Sequence, residues 1–404
     1  MPNPAAGLFK QIAYKKEVSY GLVPAAAAAQ ALRRVSSTND LAKDTYLSQE
    51  IKQSFQKSDF RHGVRRWRGK VTGDLSCKTW SDFIGFALKR DFAAVTAITG
   101  ASITIAGTGP TWTVTRAAGD FLADGIKLAH VIRLSVGVFS AGNLAKNLIV
   151  VAVTATVLTV LVLNASALVA EGPIATSTVT VIGKTTFIPQ TGHTDNSFSL
   201  EHWFPEVTAS EVYSGGKATQ LAISLPPTGL AQLAMDVLGQ NVTTASVQYF
   251  TSPTAITTTG AMAAVNGVLR VGGVTYAIVT GLTLTIAPGF TGDPVVGANS
   301  VPFLFPGSVM VSGSFTAYFQ DAVLRDAFLN ETEIDLVAAF TADNTAAADF
   351  ISIHLPRIKV GSANKTDGEG GIVQTFSFQA LEALTGGAGV KTEKTTIQVQ
   401  DAQA

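Results

Sequence analysis

VMVSGSFTAYFQDAVLRDAFLN, residues 309 to 330, changes hydrophobic period once, and that change decides how the chain is read. From Val309 to Phe319 the odd positions Val311, Gly313, Phe315, Ala317 and Phe319 share one face, while Ser312, Ser314, Thr316 and Tyr318 share the other, which is the period of a strand. From Gln320 the period lengthens. Ala322, Val323, Ala327 and Phe328 then fall on one helical face, Asp321, Arg325 and Asp326 turn outward, and Asn330 stands where a helix would stop. The stretch predicts a strand that runs into a short helix, with Val311, Phe315 and Phe319 pointing into a core and Val323 and Phe328 closing over it as a lid.

The same grammar occurs in GKVTGDLSCKTWSDFIGFALKRD, where Val71, Gly73, Leu75 and Cys77 alternate before Trp80, Phe83, Ile84 and Ala87 take up helical spacing. GGKATQLAISL is a weaker echo, since Gly216-Lys217-Ala218-Thr219 parallels Gly69-Lys70-Val71-Thr72. A pseudo-repeated scaffold is one reading of these echoes, and chance is the other.

Composition sets the class. The 404 residues are 47% hydrophobic and 14% charged, with Val, Ile, Ala, Phe, Thr and Gly abundant, a balance that favours many short strands and turns in two or three domains. Lys plus Arg equals Asp plus Glu, so no whole-molecule field selects nucleic acid, a membrane surface or an acidic ligand. The single cysteine, Cys77, has no internal partner, which suits a reducing compartment or a fold that needs no staple. MPNPAAGLFKQ lacks the apolar core of a signal peptide.

Residues 1 to 30 are expected to be an arm with an Ala run, interrupted by Gly21 and Pro24. After a long polar segment comes RHGVRRWRGK, in which Arg61, Arg65, Arg66, Arg68 and Lys70 flank Trp67 without an acid among them. Such a stretch suits phosphate contacts or, as the neutral remainder of the chain favours, a solvated or subunit-contacting hairpin loop. Residues 91 to 186 differ in texture. SITIAGTGPTWTVTR, ADGIKLAHVIRLS, LIVVAVTATVLTVLVLN and STVTVIGK supply strands separated by Gly and Asn turns, and predict a small self-contained β barrel or sandwich. Leu148 to Leu163 is the one transmembrane candidate, but it is short, holds Thr154, Thr156 and Thr159, and is rich in β-branched residues, so two buried strands are expected. Ala231, Leu233, Met235 and Val237 alternate as a strand up to Gly239, although a helix fits the same spacing.

The order of these pieces carries a resemblance. YKKEVSYGLVPA, GKVTGDLSCKTWSDFIGFAL, a β insert, SFSLEHWF, VSGSFTAYFQDAVLRDAFLNETEIDL, ISIHLPRIKVG and GIVQTFSFQAL together resemble the tail tube, or major tail, proteins of long-tailed bacteriophages and prophages. The resemblance implies a mainly β fold: a β-sandwich or barrel flanked by a short α-helix, discontinuous over residues 1–90 and 187–404, with residues 91–186 as an inserted small β domain. It implies a homo-oligomer of stacked, hexameric rings forming the conduit for DNA ejection, assembled in the host cytoplasm with tape-measure, tail-terminator and distal tail or baseplate proteins. DNA would pass transiently, with no membrane insertion and no cofactor. Under this reading Arg61, Arg65, Arg66, Trp67 and Arg68 are candidates for contacts between rings.

Catalytic readings find little support. His62, His130, His193, His202 and His354 show no paired metal spacing, and Cys77 lies in a predicted strand without a placed histidine. Gly107, Gly109, Gly215, Gly216, Gly272 and Gly273 read as turns rather than phosphate loops. Two rival classes remain: a virion surface or decoration protein that binds host carbohydrate through the insert, and a membrane-anchored protein using Leu148 to Leu163.

Overall fold

The strand within residues 309–330, Met310–Tyr318, lies inside a sheet of the larger of two packed units. The structure, a computed structural model, describes residues 4–164, 167–263, 267–275, 279–320, 323–366 and 370–404. Strand Met310–Tyr318 lies between Val279–Ala287 and Val373–Ala380, antiparallel to both. Val311, Phe315 and Ala317 are buried, and the Phe315 ring stacks on Phe376 with centroids 5.0 Å apart. Gly313 belongs to that face because a Cβ there would lie 2.2 Å from the Thr283 carbonyl oxygen and 2.6 Å from the Phe378 ring. Phe319 is only half-buried, at the point where the chain leaves the sheet.

The helix α1 (Ser81–Ala87) and the helix α2 (Val323–Leu329) follow the two strand-to-helix stretches, but they play opposite parts. In α1, Phe83, Ile84, Phe86 and Ala87 are buried, with Trp80 just before it, so this helix plugs the core against strand Ala209–Leu225. In α2 the buried residues are Leu324 and Ala327, whereas Val323 is 59% and Phe328 37% exposed. The expected lid face is therefore corrected in part: Ala327 is buried as expected, Leu324 joins it, and Val323 and Phe328 flank this narrower stripe on either side and stay partly in water. Two turns offer only a narrow stripe to strand Phe350–Lys365, and Leu324 fills it. Ala322 and Asp321, also named in that expectation, lie outside the described residues.

One sheet runs from Gln30–Ala31 through Gln11–Lys16 and Phe198–Phe204 to the first half of Ala209–Leu225, and ends on Asn241–Ala245. The other begins with Asp40–Leu47 and Phe60–Asp74, continues through Gln232–Gly239 and the second half of Ala209–Leu225, and reaches Val279–Ala287 and its partners. Strand Ala209–Leu225 thus belongs to both, turning at Gly215 with φ +69°, so Gly215 and Gly216 lie within a strand rather than in a turn. Between the sheets pack Trp67, Trp80, Phe83, Phe198, Tyr213, Phe315 and Phe376. The N-terminal arm is part of this body. Gln11–Lys16 is a sheet strand, and the buried Glu17 carboxylate accepts bonds from Ser197 and Ser199 hydroxyls and from the Gly21 and Gly215 amides. The Ala run is not helical.

The second unit is a closed barrel of six strands: Ile98–Ala106, Thr111–Arg116, Val131–Ser135, Leu148–Val153, Val157–Val162 and Glu171–Val181. Its own core includes Ile103, Val114, Phe121, Leu134, Leu158 and Val179. The transmembrane candidate is a hairpin of two of these strands, and among the described residues no helix is long and apolar enough to cross a membrane.

Barrel and body share a seam in which Ala129, Val131, Ile149 and Leu163 meet Val337, Ala339 and Phe350. Gln400 accepts from the Val131 amide at 2.8 Å and donates to the Val131 and Ile182 carbonyls, and the Ser352 hydroxyl donates to the Ala129 carbonyl at 2.9 Å. Body strands Ile334–Thr341 and Phe350–Lys365 are therefore covered on both faces over part of their length: Leu336, Ala338, Ile351 and Ile353 face the body core, while Val337, Ala339 and Phe350 face the barrel. Coverage on both faces explains why DLVAAFTA and FISIHL read as runs with little alternation.

Candidate assembly interface

RHGVRRWRGKVTGD is one strand, Phe60–Asp74, and not a hairpin loop. Trp67, Val71 and Gly73 occupy the inner face with period two, so the basic residues Arg66, Arg68 and Lys70 fall on the outer face. Trp67 is wholly buried, donates its indole N–H to the Ser214 carbonyl at 2.7 Å and meets Tyr213 edge to face. It is a core anchor, which corrects its place among the contact candidates. The signal was available: Trp67, Gly69, Val71, Gly73 and Leu75 continue a single alternation that the arginines obscure.

The structure places the four arginines differently. Arg61 pairs with Asp59 at 2.9 Å and Arg66 with Asp44 at 3.0 Å. Arg65 donates its backbone N–H to the Asn299 carbonyl, tying the hairpin to the 288–309 segment, and its buried Nε has no hydrogen-bond partner among the described residues. Arg68 is exposed beside a groove of about 730 Å³ lined by Asp40, Lys70 and Asp236. Among the described residues, Arg65 and Arg68 have no carboxylate within ion-pair distance, so their donors are the ones left for a partner.

Around them the surface is unusually apolar for a hairpin tip. Ile51 and Phe55 are fully exposed, and Tyr46, Leu47 and Phe60 are about half exposed or more. The adjoining 288–309 segment adds Val296, Phe303 and Phe305. Several large apolar groups exposed along one hairpin and the segment packed against its base suit a contact surface. Strand Asp40–Leu47 is paired on one side only, as is Asn241–Ala245, so each carries a row of open backbone donors and acceptors among the described residues.

The histidines and the cysteine, all among the described residues, occupy several different environments. His202 bonds Ser37, His62 and His193 are exposed, and His130 and His354 are wholly buried apart from the hairpin. Cys77 donates to the Phe350 carbonyl, and burial, followed by the nearby Asp401, pushes its thiol far up. Among the described residues no group of three His, Cys, Asp or Glu side chains is placed to hold a metal. Gly107 and Gly109 shape a barrel hairpin, and Gly272 and Gly273 a tight turn.

A family model described as phage tail tube protein matches residues 10–380, which spans body and barrel together. The chain belongs to the phage tail tube protein family. No curated protein matches it. As a member of this family it is a structural component of the virion tail, assembling into a tube with other tail components. The open strand edges and the apolar hairpin are the features of this tail tube protein most suited to that assembly.

Proposed function

We propose that the protein polymerises as stacked hexameric rings that form the conduit for DNA ejection, built in the host cytoplasm and bounded by tape-measure, terminator and distal tail proteins. The open Asp40–Leu47 edge beside the exposed hairpin carries this reading, because an edge that would be an aggregation hazard on a monomer is satisfied when neighbouring copies continue the sheet. Arg61, Arg65, Arg66 and Arg68 act between rings, where the guanidinium fork suits carboxylates and carbonyls of the next copy. The role is structural and not catalytic. Residues 91–186 are an inserted, outward-facing domain. Its two ends leave the body side by side, since Ala93 and Thr185 exchange both backbone bonds at 2.9 Å, the arrangement an insertion needs.

Electron microscopy of purified protein tests the proposal: rings or tubes of uniform width are expected. A monodisperse monomer under all ionic conditions, with carbohydrate binding by the barrel, would replace it with the decoration reading.

A further inference from the structure

The seam between barrel and body buries two histidines that assembly does not use. His130 comes from the barrel and His354 from strand Phe350–Lys365, and each is 2% exposed or less. They are close enough that a charge on His354 opposes one on His130. We propose that this seam is an acid-operated latch: protonation of His130 and His354 releases the barrel from the body while each unit keeps its own core.

Among the described residues, no carboxylate pairs with either ring. The His130 Nδ1 accepts from the Lys127 amide, and the Lys127 ammonium, buried at the same seam, donates to the Gly387 and Val390 carbonyls. The carboxylate nearest that ammonium is Glu393, at 4.0 Å. His354 lies opposite Val337 on one neighbouring strand and Gln398 on the other, and its Nε2 has no hydrogen-bond partner among the described residues. It borders a cleft of about 670 Å³ whose charged groups are Glu333, Asp335, Arg357 and Lys391. Burial raises the carboxyls of Asp335 and Glu393, so the docked seam holds their protons more tightly than the undocked one, and these two groups oppose release in acid, which leaves the histidines to drive it. The seam also combines the apolar cluster of Val131, Ile149, Leu163, Val337 and Phe350 with the hydrogen bonds of Gln400 and Ser352.

Burial, with Lys127 and His354 adding to it, lowers His130 to about 3, and burial lowers His354 to about 4. Undocked, both rings would titrate near the ordinary value of about 6.5. The undocked state therefore binds more protons. Docking is at full strength above about pH 6.5 and weakens about tenfold per pH unit per histidine as pH falls, until the docked rings themselves protonate. At pH 4.5 two histidines together weaken docking by about 10⁴.

Two covered positions report the difference. Val337→Cys places a thiol in the seam, and Val114→Cys places one in the barrel core, while native Cys77 reports the body core. Each variant is labelled as unassembled full chain with 4,4′-dithiodipyridine at pH 7 and 4.5, normalised to the unfolded chain at the same pH, and read peptide by peptide. Seam labelling should rise by a factor of 10² or more at pH 4.5, with Cys77 and Val114→Cys still protected. Unchanged seam labelling, or all three thiols opening together, would overturn the latch. In the His130→Asn, His354→Gln background the rise should shrink below tenfold; an undiminished rise would overturn the latch. If that background does not fold, the comparison of the three thiols decides alone.

Discussion

The barrel and the body are both antiparallel β structures, yet one closes and the other does not. In the barrel each of the six strands has two neighbours, so it offers no backbone edge to another chain. In the body, Asp40–Leu47 and Asn241–Ala245 have one side open among the described residues, and large apolar groups are exposed near the first of them. Closure makes a unit that can be carried on an assembly without joining it, and openness makes one that needs a neighbour. The seam complicates this division, because the barrel also covers body strands.

Excision breaks the comparison most severely. Replacing residues 91–186 by a short Gly/Ser linker would bare Ala339 together with Val337 and Phe350, the latter two worth up to roughly 1.5–3 kcal/mol each when buried, against a typical stability of about 5–15 kcal/mol. The truncated body should precipitate or lose cooperative melting, and replacing Phe350 and Val337 with Ser in it should recover solubility. A truncated protein that melts like the parent and still forms tubes would make the barrel a passenger.

Phe315→Ala in unassembled protein should lower stability by about 3–5 kcal/mol, since the ring is buried against Phe376 and Phe378. Leu324→Ala, on the inner stripe of α2, should fall within or just below the usual range of about 2–5 kcal/mol. Phe328→Ala should stay nearer 1 kcal/mol, because more than a third of that side chain remains in water. Equal melting shifts for Leu324→Ala and Phe328→Ala would restore the lid face expected from the sequence. Denaturant titration must use monomer, since ring formation stabilises by mass action.

The smallest effect on stability belongs to the outer face of the basic strand. Arg61, Arg66 and Arg68 changed together to Ser should cost the protomer about 0–1 kcal/mol for each exposed pair lost, Arg61–Asp59 and Arg66–Asp44. Tube length measured in low salt should fall far more. Tubes of parental length in both low and high salt would remove these arginines from the interface.

The sequence made legible what local period encodes: the 309–319 strand, the Trp80 to Ala87 helix and the hairpin within Leu148 to Leu163 all appear where alternation or helical spacing places them. It hid what depends on distant coverage. Val337 and Ile353 are apolar for different reasons, one under the barrel and one in the body core, and no periodicity separates those causes. Trp67 was masked by the arginines on its opposite face. For α2, two turns could satisfy either of two neighbouring stripes, and only the strand beneath selects Leu324 over Val323.

Strand Ala209–Leu225 has a mechanical consequence. Its 17 residues, roughly 56 Å of extended chain, are hydrogen-bonded into one sheet at the start and into the other at the end. A pull that tried to slide one sheet over the other would load covalent backbone and two ladders in shear at once, so the protomer should bear force as a single braced beam rather than as two plates.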